Sequence, residues 1–211
     1  MITVIDYGSG NLRSVAKALE SVGGDVRVSA EIPDLERAGH LLLPGVGAFA
    51  DCRANLISTG LVEPILKHID AGRPFLGICV GMQLLFSESH EFGVHPGLDL
   101  ISGNVTGFAT DMVDPEDAQR HLKVPHMGWN RLRQDQEHAL WKGVPDESFF
   151  YFVHSFYAQS REESVVAGSS DYGLRFTAAV ARDNLFATQF HPEKSQKHGL
   201  QLLENFVAWK P

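Results

Sequence analysis

Apolar and polar positions in the first 90 residues alternate between strand-like runs and helical spacing. Ile2–Ile5 is a short, mostly β-branched run, and after a turn cluster Leu12, Val15, Ala16 and Leu19 recur at the spacing of one helix face. Residues 25–29 and 40–43 continue the pattern as two strands, residues 61–69 as a second helix, and residues 74–79 as a further strand. Strands that alternate with helices build a parallel sheet with helices on both faces.

The pattern changes after residue 91. Strands are predicted near residue 100 and at 105–108, 122–124, 149–157, 165–168, 176–181 and 185–190. Turns are predicted at 103–104 and 183–184, loops at 111–117 and 123–130, and a closing helix that includes residues 200–207. The sequence therefore predicts an α/β fold: one domain over residues 1–211, with a largely parallel central sheet, helices on both faces and a β-rich second half.

Composition narrows the functional classes. With 18 basic and 26 acidic residues the net charge is −8, which disfavours nucleic-acid binding. The two cysteines, Cys52 and Cys79, form no disulfide framework or zinc-ligand spacing, so we expect no metal and no cofactor. No stretch is typical of a signal peptide or a membrane span, so a cytoplasmic protein without a membrane partner is expected.

The stretch Gly77-Ile78-Cys79-Val80-Gly81 is typical of a nucleophile elbow with cysteine in place of serine. In such an elbow a tight turn exposes the central side chain, and the amides of a following helix favour the thiolate, which is the nucleophilic form of cysteine. A buried structural cysteine between apolar neighbours is an equally good interpretation of this stretch alone.

His191-Pro192-Glu193 supplies a possible base for Cys79. The residue before a proline favours extended backbone, so the two side chains can project to the same side, as in a catalytic triad in which a carboxylate orients an imidazole. Taken alone, the stretch is more simply a surface turn. It also matches the His-x-Glu half of a zinc deaminase signature, but the Pro-Cys-x-x-Cys half is missing.

Three further stretches carry possible chemistry. Residues 44–50 contain Gly-x-Gly-x-x-Ala, which resembles a dinucleotide-binding motif. That motif belongs to the first βα turn of its fold, whereas this stretch follows the third strand, so we expect it to offer backbone amides to an oxyanion instead. Residues 151–157 alternate aromatic and polar side chains, most simply as a half-buried core strand. In the loop predicted at 123–130, Trp129 is either a core plug or an anchor for a partner.

These segments together resemble the class I glutamine amidotransferases, which hydrolyse glutamine with a Cys, His, Glu triad. Pro44–Gly47, Gly77–Gln83 and His191–Glu193 occur in the order of that family. The resemblance spans nearly the whole chain and is strongest to the branch that serves histidine biosynthesis. Three more segments match that branch: Asp6–Asn11, Pro125–Asn130 and Tyr151–Ser155.

The resemblance implies the fold of that family and a role for each matching residue. Cys79 is the expected nucleophile, His191 the general base and then acid, and Glu193 the residue that orients it. The expected oxyanion donors are backbone amides of four residues: Val80, Gly45, Val46 and Gly47.

The same resemblance implies that Gln83, Ser155 and Phe156 hold the amino-acid end of glutamine. The family usually has a tyrosine directly after this serine, whereas here Phe156 separates Ser155 from Tyr157. We therefore do not expect a tyrosine hydroxyl to contribute.

The partner implied by the resemblance is a (β/α)8-barrel cyclase, bound as a heterodimer, which uses the ammonia to make imidazole glycerol phosphate and an aminoimidazole carboxamide ribotide. Asn11 and Trp129 are the expected interface residues. Two alternatives stay open: the glutaminase of another amidotransferase or a stand-alone cysteine hydrolase, and a non-catalytic regulatory module with the same fold.

Overall fold

Five parallel strands form one side of a 13-stranded sheet in a computed structural model that describes residues 1–114 and 117–211. Their order across the sheet is β2-β1-β3-β4-β15. The strands are β1 (Ile2–Ile5), β2 (Val26–Ser29), β3 (His40–Gly45), β4 (Phe75–Cys79) and β15 (Leu185–Thr188). Side chains of the central strands, such as Leu42, Leu76 and Phe186, are fully buried. The parallel sheet predicted from the alternation of strands and helices is confirmed.

The described residues form six α-helices beside the sheet: α1 (Leu12–Ser21), α2 (Ile32–Arg37), α3 (Phe49–Ser58), α4 (Val62–Asp70), α5 (Val80–Gln83) and α6 (Gln196–Ala208). The chain moves one way across the sheet from β1 to β2 and the other way from β2 to β3 and β4. Because such crossovers are right-handed, α1 lies on one face and α2 and α4 on the other. Contacts of α1 with α6 and of α2 with α4 agree with this arrangement.

The remaining strands of the large sheet are mostly antiparallel and continue it from β15. They are β5 (Phe86–Ser89), β6 (His95–Pro96), β7 (Ile101–Gly107), β10 (His126–Gln134), β11 (Ser148–His154), β12 (Phe156–Ser160), β13 (Val166–Asp171) and β14 (Arg175–Arg182). A separate pair is formed by β8 (Val113–Asp114) and β9 (Asp117–His121). None of the described helices has the length and apolar character needed to cross a membrane.

The turn predicted at residues 103–104 is wrong. Gly103 and Asn104 lie inside β7, paired with Ser160 and Gln159, and do not form a turn. A side chain at Gly103 would overlap the Gln159 carbonyl oxygen, so this glycine serves a close approach of two strands. The turn at 183–184 is confirmed, with Asp183 at φ 51°.

The predictions for residues 111–130 also need correction. Most of the loop predicted at 123–130 is strand, because residues 126–130 pair with β11. The described residues 122–124 form no strand, although one was predicted there. Of the loop predicted at 111–117, residues 113, 114 and 117 belong to the β8–β9 pair. Pro115 and Glu116, which belong to that prediction, lie outside the described residues.

Candidate active site

The nucleophile elbow predicted from the sequence lies where β4 ends and α5 begins. Cys79 adopts φ 57° and ψ −114°, a conformation that is rare for any residue except glycine. A side chain at Gly81 would overlap the carbonyl oxygen of Leu43, and one at Gly77 would lie 2.9 Å from the Gly81 oxygen. Glycine at these two positions therefore allows the backbone to turn sharply against the end of β3.

The helix that follows Cys79 is short. α5 has only four residues, and β5 already begins at Phe86. The helix-dipole support that we predicted for the thiolate is therefore small, because one turn aligns few peptide dipoles. Stabilisation of a Cys79 thiolate depends on neighbouring side chains.

His191 and Glu193 form a buried pair rather than a surface turn. Nδ1 of His191 lies 2.8 Å from Oε1 of Glu193, and the two side chains are 2% and 0% exposed. The other ring nitrogen, Nε2, has no hydrogen-bond partner among the described residues, yet it is buried on a ring that lines the same cavity as Cys79. An imidazole oriented by a carboxylate and free at Nε2 is the arrangement that proton transfer to and from a bound substrate needs.

Electrostatics favours the charged form of this imidazole. Burial alone lowers the pKa of His191, but the negative charge of the Cys79 sulfur and the Glu193 carboxylate outweigh burial and raise the pKa to about 10. A charged His191 already holds the proton that a leaving group requires.

A hydroxyl group fixes the backbone of His191. Oγ of Ser195 donates to the His191 carbonyl at 2.6 Å and accepts from the Tyr151 amide at 2.9 Å. The His191 amide in turn donates to the Tyr151 carbonyl at 2.9 Å. These contacts join the loop after β15 to β11. The backbone from which the imidazole projects is therefore held in place relative to the sheet.

One cavity of about 400 Å³ brings together most of the residues singled out from the sequence. Those that line it are Cys79, Val80, Val46, Gly47, Gln83, Ser155, Phe156 and His191. Glu193 lies behind His191, and Gly45 pairs with Cys79 at the ends of β3 and β4 without lining the cavity. Asn11 and Trp129 belong to other parts of the surface.

Gln83 is anchored inside the protein. Its amide nitrogen donates to the Phe156 carbonyl at 3.1 Å and to Oε1 of Gln189 at 3.0 Å. The amide nitrogen of Gln189 approaches the sulfur of Cys79 at 3.7 Å. A buried network of amides therefore connects the wall of the cavity to the nucleophile.

The segment after β11 explains the unusual Phe156. Ser155 separates β11 from β12, and successive side chains on β12 point to opposite sides. The Phe156 ring lines the cavity, whereas Tyr157 is buried with its ring centroid 4.5 Å from that of Phe108. The Tyr157 ring thus packs against Phe108, and Phe156 is the aromatic residue of this segment that lines the cavity.

Five residues that line the cavity were not predicted as site residues: Glu91, Phe92, Pro125, Val153 and His154. Glu91 is the only acidic residue among the described lining residues, and its Oε2 accepts from the Phe49 amide at 2.6 Å. Phe92 is 88% exposed at φ 53°, with its ring 6.0 Å from that of Phe156. Both lie in an irregular loop after β5, where no periodic pattern marks them.

The Val46 peptide is held by a polar cluster below the glycine-rich loop. The Val46 amide donates to Oγ of Ser9 at 3.4 Å. The Val46 carbonyl accepts from Ser9 at 2.7 Å and from the sulfur of Cys52 at 3.3 Å. In this conformation the Val46 amide is engaged with Ser9 rather than available to an oxyanion.

Trp129 lies on strand β10 and not on a loop as predicted. Across the strand pair Met127 faces Val153, Trp129 faces Tyr151 and Arg131 faces Phe149. Met127, Trp129 and Phe149 are 61%, 46% and 48% exposed. Gly128 at φ 136° explains the loop-like sequence of a segment that is extended.

Comparison with known proteins agrees with the geometry. The family described as glutamine amidotransferase class-I matches residues 3–209. This chain belongs to the class I glutamine amidotransferases.

Relatives of this amidotransferase extend over its whole length. It is 53% identical over 206 residues to imidazole glycerol phosphate synthase subunit HisH of Syntrophotalea carbinolica, with 98% of each chain covered. It is 54% identical over 209 residues to the subunit of the same name from Geobacter metallireducens, with 99% of this chain and 98% of the relative covered.

Solved structures confirm the fold of this amidotransferase. PurLQS from Thermotoga maritima superposes with a TM-score of 0.75 at 17% identity, covering 98% of this chain and 97% of that one. A further glutamine amidotransferase structure gives a TM-score of 0.73 at 18% identity, covering 99% and 98%. The class I amidotransferase fold that the sequence motifs predicted is therefore confirmed.

Proposed function

We propose that this amidotransferase is the glutaminase subunit of an imidazole glycerol phosphate synthase in histidine biosynthesis. Relatives of that name share about half of its residues over the whole chain. The observation that carries the chemical part is the position of Cys79 on an elbow, in one cavity with the free Nε2 of His191. No other described cavity holds a cysteine beside a histidine.

The first step forms a thioester. The Cys79 thiolate attacks the side-chain amide carbon of glutamine, and the carbonyl oxygen becomes an oxyanion that the Val80 amide stabilises. The second donor comes from the loop at Val46 and Gly47, which line the same cavity. His191 gives its proton to the nitrogen, the C–N bond breaks, and ammonia leaves.

The second step returns the enzyme to its starting state. His191, now neutral, takes a proton from water, and the hydroxide attacks the thioester carbon. The C–S bond breaks, Cys79 leaves as a thiolate, and glutamate is released. Glu193 stabilises the imidazolium in each step through its contact with Nδ1.

Recognition of glutamine uses the far wall of the cavity. The α-ammonium group needs an anionic partner, and Glu91 supplies the acidic side chain on this wall. The α-carboxylate needs donors, and the Ser155-Phe156 segment offers them where the chain passes between two strands. Gln83 supports that segment through the Phe156 carbonyl.

Ammonia in water at neutral pH is mostly protonated and not nucleophilic, so its use requires direct transfer to a partner. The exposed face of Met127, Trp129 and Phe149 is a suitable docking surface, because Val153, on the strand beside it, also lines the cavity. We propose a heterodimer in which this face and Asn11 contact a (β/α)8-barrel cyclase.

The test measures imidazole glycerol phosphate formed by the complex with its cyclase, with either glutamine or an ammonium salt as the nitrogen source. The wild-type complex is expected to use both, and the Cys79→Ala complex only the ammonium salt. Glutamate release by the isolated chain is expected to be far slower than in the complex. A Cys79→Ala complex that still uses glutamine, or a chain that never stimulates the cyclase, contradicts the proposal.

A further inference from the structure

Two buried histidines lie in a row beside the glutamine cavity. Nδ1 of His154 is 2.9 Å from the Phe156 carbonyl oxygen, and Nε2 of His154 is 2.9 Å from Nδ1 of His126. Nε2 of His126 is 3.3 Å from the amide nitrogen of Asn130. The three side chains and the carbonyl form one row, which we call the histidine relay.

The relay has only one consistent proton arrangement with neutral rings. A carbonyl oxygen accepts, so Nδ1 of His154 carries the proton and its Nε2 accepts. His126 must then donate from Nδ1 and accept at Nε2, where Asn130 donates. The amide of Asn130 is itself oriented, because its oxygen accepts from the Arg131 amide at 2.8 Å and its nitrogen also donates to the Asp171 carbonyl at 2.8 Å.

Burial keeps both imidazoles neutral, as this arrangement requires. His126 and His154 are 3% and 6% exposed. Burial lowers the pKa of His126 to about 4, and burial together with the neighbouring His126 lowers that of His154 to about 3. The direction of every hydrogen bond in the relay is therefore fixed at neutral pH.

At one end the relay contacts the Phe156 carbonyl, in the segment that lines the cavity. The Phe156 carbonyl accepts from both His154 and the Gln83 amide, so two buried donors hold one oxygen from two sides. The relay begins on β10, where Asn130 follows the exposed Trp129. His126 also lines a second cavity of about 540 Å³, beside Trp129 and away from Cys79.

We propose that His126 and His154 are positioning residues for glutamine binding: the relay fixes the Phe156 carbonyl and with it the segment that holds the amino-acid end of glutamine. This inference rests on the proposed glutaminase function. His154 lines the cavity and His126 does not, and the hydrogen bonds of the two rings go to each other, to Asn130 and to the Phe156 carbonyl. Loss of the relay therefore weakens glutamine binding and leaves the chemical step nearly intact.

The test compares His154→Leu with His154→Asn, and His126→Leu with His126→Asn, each in complex with the cyclase. The amide nitrogen of asparagine takes roughly the place of Nδ1, so each Asn variant keeps the forward donor that the Leu variant lacks. For each Leu variant we expect KM for glutamine to rise about tenfold, the factor that corresponds to the loss of about one hydrogen bond, with kcat within about twofold. Each Asn variant is expected to recover most of the KM change.

A matched control is His68→Leu. His68 is also fully buried and makes one ring contact to a backbone carbonyl, Pro74 at 3.0 Å, but it lies on α4 outside the cavity. Its KM is expected to stay at the wild-type value. Alkylation of Cys79 by iodoacetamide is expected to proceed at the wild-type rate in all folded variants.

Unchanged KM in the folded Leu variants overturns the inference, and so do Asn variants that are as impaired as the Leu variants in both KM and kcat. If a Leu variant does not fold, the corresponding Asn variant is the test. The inference is overturned if kcat of that Asn variant falls by the same factor by which its KM rises. Failure of the proposed function is distinguishable, because the wild-type complex would then release no glutamate from glutamine.

Discussion

Nδ1 of His191 lies 2.8 Å from Oε1 of Glu193, and neither side chain reaches solvent to any extent. Away from water a carboxylate favours an adjacent imidazolium far more than it does on the surface. The second carboxylate oxygen, Oε2, has no hydrogen-bond partner in the described part of the chain. The charge of Glu193 is therefore directed mainly to His191.

Removal of that charge is expected to slow the chemistry. For Glu193→Gln we predict that kcat falls by roughly two to four orders of magnitude while KM for glutamine stays near wild type, since Glu193 does not line the cavity. Steady-state glutamate release measures both constants. The matched control is Glu88→Gln, because Glu88 contacts His90 at 3.1 Å on the surface. Equal effects of the two variants would contradict the assigned role.

Loss of the nucleophile is expected to abolish hydrolysis without unfolding the chain. For Cys79→Ala we predict a decrease in kcat of at least about 10⁴-fold, the scale on which removal of a triad nucleophile acts. Circular dichroism is expected to show an unchanged spectrum. A folded variant that keeps a tenth of the activity would exclude a thioester on Cys79.

The contact between Ser9 and the Val46 amide predicts low activity of the chain without its partner. For Ser9→Ala we expect basal glutamine hydrolysis to rise severalfold. The substitution removes the Ser9 hydroxyl, to which the Val46 amide donates at 3.4 Å, so the amide becomes available to the oxyanion. The control is Ser21→Ala, whose hydroxyl bonds within α1 to Ala18. Basal hydrolysis that is unchanged or lower in Ser9→Ala would show that this contact does not limit the activity.

The exposed β10–β11 face predicts a binding hot spot. For Trp129→Ala we expect affinity for the cyclase to fall at least about tenfold, because large aromatic side chains dominate interface energies. Calorimetric titration with the cyclase measures the change. Val28→Ala, an exposed apolar position on the edge strand β2, is expected to leave the affinity unchanged. An affinity unaffected by Trp129→Ala would place the interface elsewhere.

Buried neutral histidines predict loss of stability in mild acid. Burial lowers the pKa values of His68 and His126 to about 4 and that of His154 to about 3. In the unfolded chain these groups titrate near 6.5. Below pH 6.5 the unfolded state therefore binds protons that the native state does not, at about 1.4 kcal/mol per pH unit for each histidine.

Unfolding temperature is thus expected to fall steeply as the pH is lowered from 6.5 to 4. Thermal melts across this range measure the effect. His68→Leu is expected to make the decline shallower, since one of the protons bound on unfolding is removed. A Tm that does not fall over this range would mean that these rings are not neutral when buried.

The central strands and the elbow were predictable because their signals are local. An apolar run that ends in Gly77-Ile-Cys79-Val-Gly81 fixes a strand and a tight turn by backbone sterics alone. By contrast, α3 was missed because its buried residues Phe49, Cys52 and Leu56 are few and leave only a weak helical periodicity. Gly103 and Gly128 were wrongly predicted to lie in a turn and a loop because glycine is common there. Pairing with distant strands makes both segments extended, and glycine serves a close approach at Gly103 and a positive φ at Gly128.

The site was predictable as far as it consists of reactive groups. Cysteine and histidine are recognisable as possible catalytic residues from their type alone, as at Cys79 and His191. Glu91 and Phe92 line the cavity only because the loop after β5 folds against it. The orientation of the Val46 amide depends on Ser9, 37 residues away along the chain. Such contacts between distant loops leave no pattern in a single sequence.

The close packing of β3 against the elbow restricts where this protein can change. At Gly45 a side chain would lie 2.7 Å from the Gly81 amide nitrogen, and at Gly81 it would overlap Leu43. The catalytic end of the cavity therefore tolerates almost no variation in evolution or in design. The opposite wall, with the exposed Phe92, has room for substitution. A change in which amide the enzyme accepts would therefore require substitutions on that wall, while the residues that cleave the amide stay the same.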